Sequence, residues 1–235
     1  MLTLSKKILW IALVLVIAMT FGFTFWAISL SQKASVSQIK AIIAAQPVAA
    51  TSAQTYQVDK APQIQDGDWL LGDKQAKIRM FVFEDYASPY SAEFNDTVER
   101  LKSEYQDRIV FIFRPFISKS DPLSALGSQA LVCAGADWLS MRANIFRLVK
   151  ENKLTADSLQ AAAVSKEDFA DCLAGLPSLE KSAKLSESAK DYAVIGAPTI
   201  FINDSLIVGA RPYEDYVDSN GDKVDGLKTI IERIK

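Results

Sequence analysis

Apolar positions along the chain follow three regimes. From Ile8 to Leu30 they run together without a single charge. From residue 31 to 64 they thin out among Ala, Gln, Ser and Thr, with Pro47 in their midst. From Gln65 onward they recur with the periods of strands and helices. Lys77 to Glu84, Lys-Ile-Arg-Met-Phe-Val-Phe-Glu, is short, apolar and β-rich, which predicts a strand buried on both faces. Ser88-Pro89 reads as a helix start, with Ser as N-cap and Pro at the first helical position. Phe94, Val98 and Leu101 carry that helix at the expected spacing to about Tyr105. Ile109 to Phe113 predicts a second buried strand, and the strand–helix–strand order implies a parallel pair with a right-handed crossover.

A helical stretch follows over residues 122–195, with breaks expected at Gly135, Asn152 to Leu154, Val164-Ser165 and Gly175 to Pro177. Thr199 to Asn203 and Ser205 to Val208 predict a hairpin turning at Asn203-Asp204. A C-terminal amphipathic helix places Leu227, Ile230, Ile231 and Ile234 on one face. This order of elements is that of an α/β thioredoxin-like fold with an inserted helical subdomain at 122–195, preceded by one transmembrane helix.

As a helix, Ile8 to Leu30 would span about 34 Å, enough for a hydrocarbon core of about 30 Å. Lys6 and Lys7 precede it, so the positive-inside rule puts residues 1–7 in the cytoplasm and the remainder outside. The alternative is a cleaved signal peptide, whose apolar core is usually about 7–15 residues. The run here is longer, and Ala27-Ile28-Ser29 is a mediocre cleavage site. The expected layout is a cytoplasmic tip, an anchor at 8–30, a flexible stalk at 31–64 and a folded domain at 65–235, single-pass in the cell membrane.

Charge and composition narrow the chemistry. A net charge of −2 among 235 residues gives no electrostatic support for nucleic-acid binding. The chain has no histidine, which excludes Ser-His-Asp and Cys-His nucleophiles and histidine metal sites. Two cysteines are too few for a zinc finger. Asp218-Ser219-Asn220-Gly221-Asp222 resembles the start of a calcium loop. The sixth and twelfth positions are Lys223 and Thr229 instead of Gly and Glu, so a solvated turn is expected and no metal. No cofactor is expected either.

From about Asp66 to Lys235 the chain resembles the bacterial DsbA-like thiol–disulfide oxidoreductases. The resemblance rests on four segments in order: Leu71-Gly72-Asp73; Phe83-Glu84-Asp85-Tyr86-Ala87-Ser88-Pro89-Tyr90-Ser91; Gly196-Ala197-Pro198-Thr199-Ile200-Phe201-Ile202-Asn203; and Val208-Gly209-Ala210-Arg211-Pro212-Tyr213-Glu214. Where the family carries Cys-Pro-X-Cys, this chain has Ser88-Pro89-Tyr90-Ser91. A thiol at a helix N-terminus is held as thiolate by the dipole and the free N–H groups. It attacks a disulfide, and the second cysteine resolves the mixed disulfide. A serine hydroxyl ionises too weakly and exchanges no disulfide. The acidic residue that often lies six positions before the first cysteine is Val82 here.

Two origins of the serines stay open: a natural loss, or substitution of an oxidoreductase. The resemblance further implies a cis Ala197-Pro198 bond, the alternative being an ordinary trans proline at a strand start. It also implies a peptide-binding groove lined by Ser88, Pro89, Tyr90, Ala197 and Pro198, which needs no thiol to pair with an extended chain. Cys133 and Cys172, in the helical insertion, match cysteines of some relatives. In an oxidising compartment they are expected to form a structural disulfide, the alternative being two buried thiols. The partners implied are the membrane, through 8–30, and extracytoplasmic polypeptides or envelope proteins. The functional expectation is a redox-inactive binding or scaffold module. Its alternative is an oxidoreductase assisting disulfide formation in secreted proteins, if Ser88 and Ser91 are engineered or another cysteine is used.

Overall fold

Strand β3, Ile78–Glu84, is the centre of the molecule, and its sequence explains why. Six of its seven residues are buried, so no side of it faces water. The computed structural model describes residues 55–164 and 168–234; the expected anchor at 8–30 lies outside them. Among the described residues no helix is long and apolar enough to cross a membrane.

In chain order the elements are strands β1 (Thr55–Gln57), β2 (Trp69–Leu71) and β3, helix α1 (Pro89–Tyr105), and strand β4 (Ile109–Pro115). The helical insertion follows as α2 (Pro122–Ala134), a 3-10 turn, α3 (Trp138–Lys150), α4 (Ala156–Ala162), α5 (Phe169–Ala174) and α6 (Leu176–Glu187), with a second 3-10 turn at Ser188–Tyr192. Strands β5 (Thr199–Ile202) and β6 (Ser205–Val208), a small hairpin of β7 (Tyr216–Val217) and β8 (Lys223–Val224), and helix α7 (Leu227–Arg233) complete it. The main sheet has the order β1-β6-β5-β3-β4-β2. β3 and β4 are parallel, with Phe83 opposite Arg114, while β5 runs antiparallel to β3, with Phe83 opposite Thr199.

The insertion breaks at Gly135, around Asn152 and at Gly175, as the glycines and the polar run require. Its last helical turn ends at Tyr192 instead of Ile195. Asn203 turns the β5–β6 hairpin at φ 49°. One boundary moves. The domain does not begin at Gln65, because Thr55–Gln57 pairs antiparallel with β6 and so already belongs to the sheet. Residues 55–64 are therefore fold, not stalk. β1, β2 and the β7–β8 pair, two or three residues each, lack the length for a periodic pattern, which is why the sequence did not announce them.

The sheet is covered on both faces. One face joins Met80, Val82, Phe111, Phe113 and Ile200 to Phe94, Val98 and Leu101 of α1, Ile145 and Phe146 of α3, and Leu227 and Ile231 of α7 in one apolar cluster. The other carries Phe81, Phe83, Val110, Ile112 and Phe201, all buried. β1 and β2 lie at opposite edges of the sheet, so the chain between them crosses it, and the hydrogen bonds of Arg114 to Gln63 and Asp68 put the crossing on this second face. That crossing, residues 58–68, buries Val58 and Ala61.

Candidate functional site

The first turn of α1 lies just beyond the C-terminal end of the central strand. Ser88 takes the extended conformation of an N-cap, and its Oγ accepts the Ser91 N–H at 3.4 Å. Pro89 begins the helix without needing a partner for a backbone donor. Ser91 is fully buried, and its Oγ accepts the Asp85 N–H at 3.2 Å. Tyr90 points outward and is 56% exposed. Both hydroxyl oxygens are thus acceptors that stitch the β3–α1 turn.

Three acidic or polar groups support this turn, and periodicity alone does not reveal them. Asp85 is buried, and its Oδ1 accepts the Ala87 N–H at 2.9 Å. Burial pushes its carboxyl pKa up; hydrogen bonds from Ala87 and Ser124 pull it down, and Asp121 nearby pushes it further up. Ser124, at the start of α2, accepts the Ser118 N–H and donates to the Phe116 carbonyl, tying the β4–α2 loop to the same corner. Glu84 lies beneath, fully buried, with its carboxylate gripped by Arg142 Nε at 2.9 Å and Nη2 at 2.5 Å. Arg142 also donates to Asn95 Oδ1 at 2.6 Å, linking α3 to α1. Burial opposes the Arg142 charge, yet the attraction and hydrogen bonds of Glu84 prevail and hold its pKa above the ordinary guanidinium value. The sequence did carry one signal: two consecutive acids closing a strand buried on both faces require a partner.

Tyr86, also fully buried, packs edge-on to Trp69 with ring centroids 6.4 Å apart and lies against Phe146 at 5.6 Å. α2 passes so close that a Cβ on Gly127 would come within 2.7 Å of the Tyr86 Cβ. Only glycine fits that crossing, so the helical insertion is seated directly on the turn that carries Ser88.

The loop into β5 forms the neighbouring wall. The Ala197-Pro198 peptide is cis, Ala197 is half-buried and Pro198 is buried. The Pro198 carbonyl accepts the Gly209 N–H at 2.9 Å, and Thr199 Oγ1 donates to the Gly196 carbonyl at 2.7 Å. With Thr199 opposite Phe83, Pro198 falls beside the last residue of β3, at the strand end from which the Ser88 turn departs. The register thus brings together Ser88, Pro89, Tyr90, Ala197 and Pro198 at one end of the sheet. Ile195, three residues before Pro198, is 55% exposed and was not singled out from the sequence. Cys133 and Cys172 are not part of this end. They are disulfide-bonded to each other and join the end of α2 to α5 within the insertion.

Among the described residues no cluster of acidic or sulfur groups could hold a metal ion. The Asp218 loop is a turn in which Asp218 Oδ1 accepts the N–H groups of Asn220 and Asp222.

Comparison with known proteins gives a consistent picture. The sequence model of the family described as "Thioredoxin" matches residues 65–219. A Bacillus cereus protein described as "Probable disulfide bond formation protein D" is 30% identical over 152 residues, 58% of this chain and 70% of its own length. A Bacillus anthracis protein of the same description is 29% identical over 152 residues. Among solved structures, the catalytic domain of Proteus mirabilis ScsC is 25% identical with a TM-score of 0.53, covering 62% of this chain and 82% of that one. Wolbachia pipientis alpha-DsbA1 shares the fold at 18% identity, with a TM-score of 0.56, covering 73% of this chain and 92% of that one. By its matched sequence, its sheet order and its helical insertion, the chain belongs to the DsbA-like thiol–disulfide oxidoreductase family of thioredoxin-fold proteins.

Proposed function

We propose that this protein binds extended polypeptide at the end of the sheet formed by the α1 tip and the Ala197-Pro198 loop, and does so without exchanging disulfides. The observation that carries this reading is the state of Ser88 and Ser91. They stand where the family resemblance puts Cys-Pro-X-Cys, and both oxygens serve as hydrogen-bond acceptors of the turn. Hydroxyls keep the cap but cannot be held as the anion that attacks sulfur, and the chain has no histidine to activate them. What remains is a surface suited to recognition. Tyr90 and Ile195 are large, apolar and more than half exposed, and Ala197 lies in the bend that leads directly into strand β5. The bond between Cys133 and Cys172 supports an oxidising compartment, and with the apolar run at 8–30 it supports display on the outer face of a cell membrane. The partners in this reading are unfolded or extended segments of envelope and secreted proteins.

Two measurements test it. Reduction of insulin by the purified protein should stay at the blank rate, and turnover well above blank overturns the inactive reading. Binding of an alkylated, fluorescently labelled unfolded polypeptide should be detectable and should weaken on Pro198→Thr; no binding by the unmodified chain overturns the recognition reading.

A second reading has its own support. Relatives described as disulfide bond formation proteins match 70% of their length, which favours a thiol–disulfide oxidoreductase whose cysteines are replaced in this sequence. The native gene at codons 88 and 91 decides between them: cysteine codons there restore the enzyme.

A further inference from the structure

The face of the sheet away from α1 carries a second buried ion pair, and its place in the fold gives it a task. Arg114 of β4 is 1% exposed, and its Nε and Nη2 grip the Asp68 carboxylate at 2.6 and 2.7 Å. Nη2 also donates to the Gln63 carbonyl at 2.5 Å. Asp68 and Gln63 both belong to the crossing segment 58–68, so one guanidinium clasps that strap to the sheet at two points. Stability is a poor reason for such a pair. Charges buried this deeply lose their hydration, and an apolar pair of the same volume is often as stable or more so. A buried pair does fix geometry, since a bidentate grip tolerates little sliding.

What it fixes is read from the register. Arg114 is opposite Phe83, and Phe83 is opposite Thr199, the residue after Pro198. The guanidinium lies 5.0 Å from the Phe81 ring centre and 5.9 Å from that of Phe83. Phe83, Phe201 and Tyr192 form a ring triangle with centroids 5.9 to 6.4 Å apart. Tyr192 ends the last helical turn before the Ala197-Pro198 loop, and its outer side meets Lys60 of the strap, 5.7 Å from the ring centre. The loop is therefore pinned at Thr199 by the sheet and at Tyr192 by a ring held between sheet and strap.

We propose that the Arg114–Asp68 clasp and the strap it fastens position the peptide-binding loop 193–198 from beneath, making Asp68, Arg114 and Tyr192 positioning residues for a surface they do not touch. The proposal rests on the peptide-binding reading. It adds that residues 58–64, upstream of the matched family region, set how firmly that surface is held.

The test separates the two claims. In the full chain, Asp68→Leu with Arg114→Met removes the clasp while keeping an apolar, filled site. Thermal stability should stay near that of the unmodified protein. Amide exchange over 193–199 should quicken, and affinity for the labelled unfolded polypeptide should fall about tenfold, the order expected when a preorganised surface must be ordered on binding. Unchanged exchange and unchanged affinity overturn the proposal. If the double variant does not fold, Tyr192→Leu at a half-buried position decides: quicker exchange over 193–199 supports positioning, and unchanged exchange overturns it. Failure of the unmodified chain to bind polypeptide sinks the underlying recognition reading, while the exchange result still judges the clasp.

Discussion

The chain keeps sulfur in one pair of positions and oxygen in another, and the two places differ in what they ask of the side chain. Cys133 and Cys172 close a sequence separation of 39 residues across the insertion, at half-buried positions on α2 and α5. Neither stands at the N-cap of a helix. Ser88 and Ser91 stand at the tip of a helix of 17 residues, where a thiol would ionise. The insertion carries a covalent tie, which only sulfur supplies. The helix tip needs a cap and a turn-closing acceptor, and a hydroxyl supplies both. Chemistry is set here by location as much as by residue type.

The strongest way to sharpen this contrast is to move sulfur to the tip. Ser88→Cys with Ser91→Cys should convert a protein with blank insulin reduction into one at least about tenfold above it, since a helix tip that lowers a thiol pKa from about 8.5 to about 7 raises the thiolate fraction at neutral pH by that order. A double variant that forms the 88–91 disulfide yet reduces nothing breaks the idea that the tip alone decides.

The next effect is removal of the tie. Cys133→Ala with Cys172→Ala should lose about 4 kcal/mol in the chain-entropy treatment, for a separation of 39 residues. For a domain of this size that is a fall in Tm of about 10–15 °C by calorimetry. Below the lowered Tm, polypeptide binding should be retained. Loss of binding in a folded variant would join the two regions that this comparison keeps apart.

A smaller change probes the cap. Ser88→Ala should cost about 1 kcal/mol in denaturant unfolding, and Ser88→Asp should restore it, because a carboxylate caps equally well and favours the helix dipole. Equal stability of all three would remove the structural role assigned to the hydroxyl.

The smallest effect lies in Asp85. Its folded-state pKa is raised above 3.8, mainly by burial, so the folded protein holds that proton more tightly than the unfolded chain does. The stability this gives is complete below the unfolded pKa, declines as pH rises, and is lost above the folded pKa. Asp85→Asn keeps an oxygen for the Ala87 N–H and should therefore gain in stability relative to the unmodified chain as pH climbs from 4 to 7. A Tm difference independent of pH would remove the buried-carboxyl account.

Much of the molecule was legible from residues alone. Strand β3, helix α1 with its Ser88 cap, the β5–β6 hairpin and the breaks of the insertion all carry short-range signals: an apolar run, a capping pair, a turn dipeptide, a glycine. The strap resembles a stalk in sequence because the apolar residues of 55–64 follow no strand or helix period. Their order comes from β6 and Arg114, which lie far along the chain. Asp85 carries no periodic signal of its own, and it is buried where α2 settles over the neighbouring Tyr86 at Gly127.

The sequence by itself determined the order of the longer elements (β3, α1, β4, the helical insertion, the β5–β6 hairpin and α7), the helix start at Ser88 and the presence of hydroxyls instead of thiols there. These follow from backbone preferences and side-chain chemistry that act within a few residues. Tertiary structure alone decided that Glu84 meets Arg142 across 58 residues, that Asp68 meets Arg114 across 46, and that a segment resembling a linker crosses the sheet. A buried charge must find its opposite wherever packing brings one, and one-dimensional periodicity holds no record of which distant segment that will be.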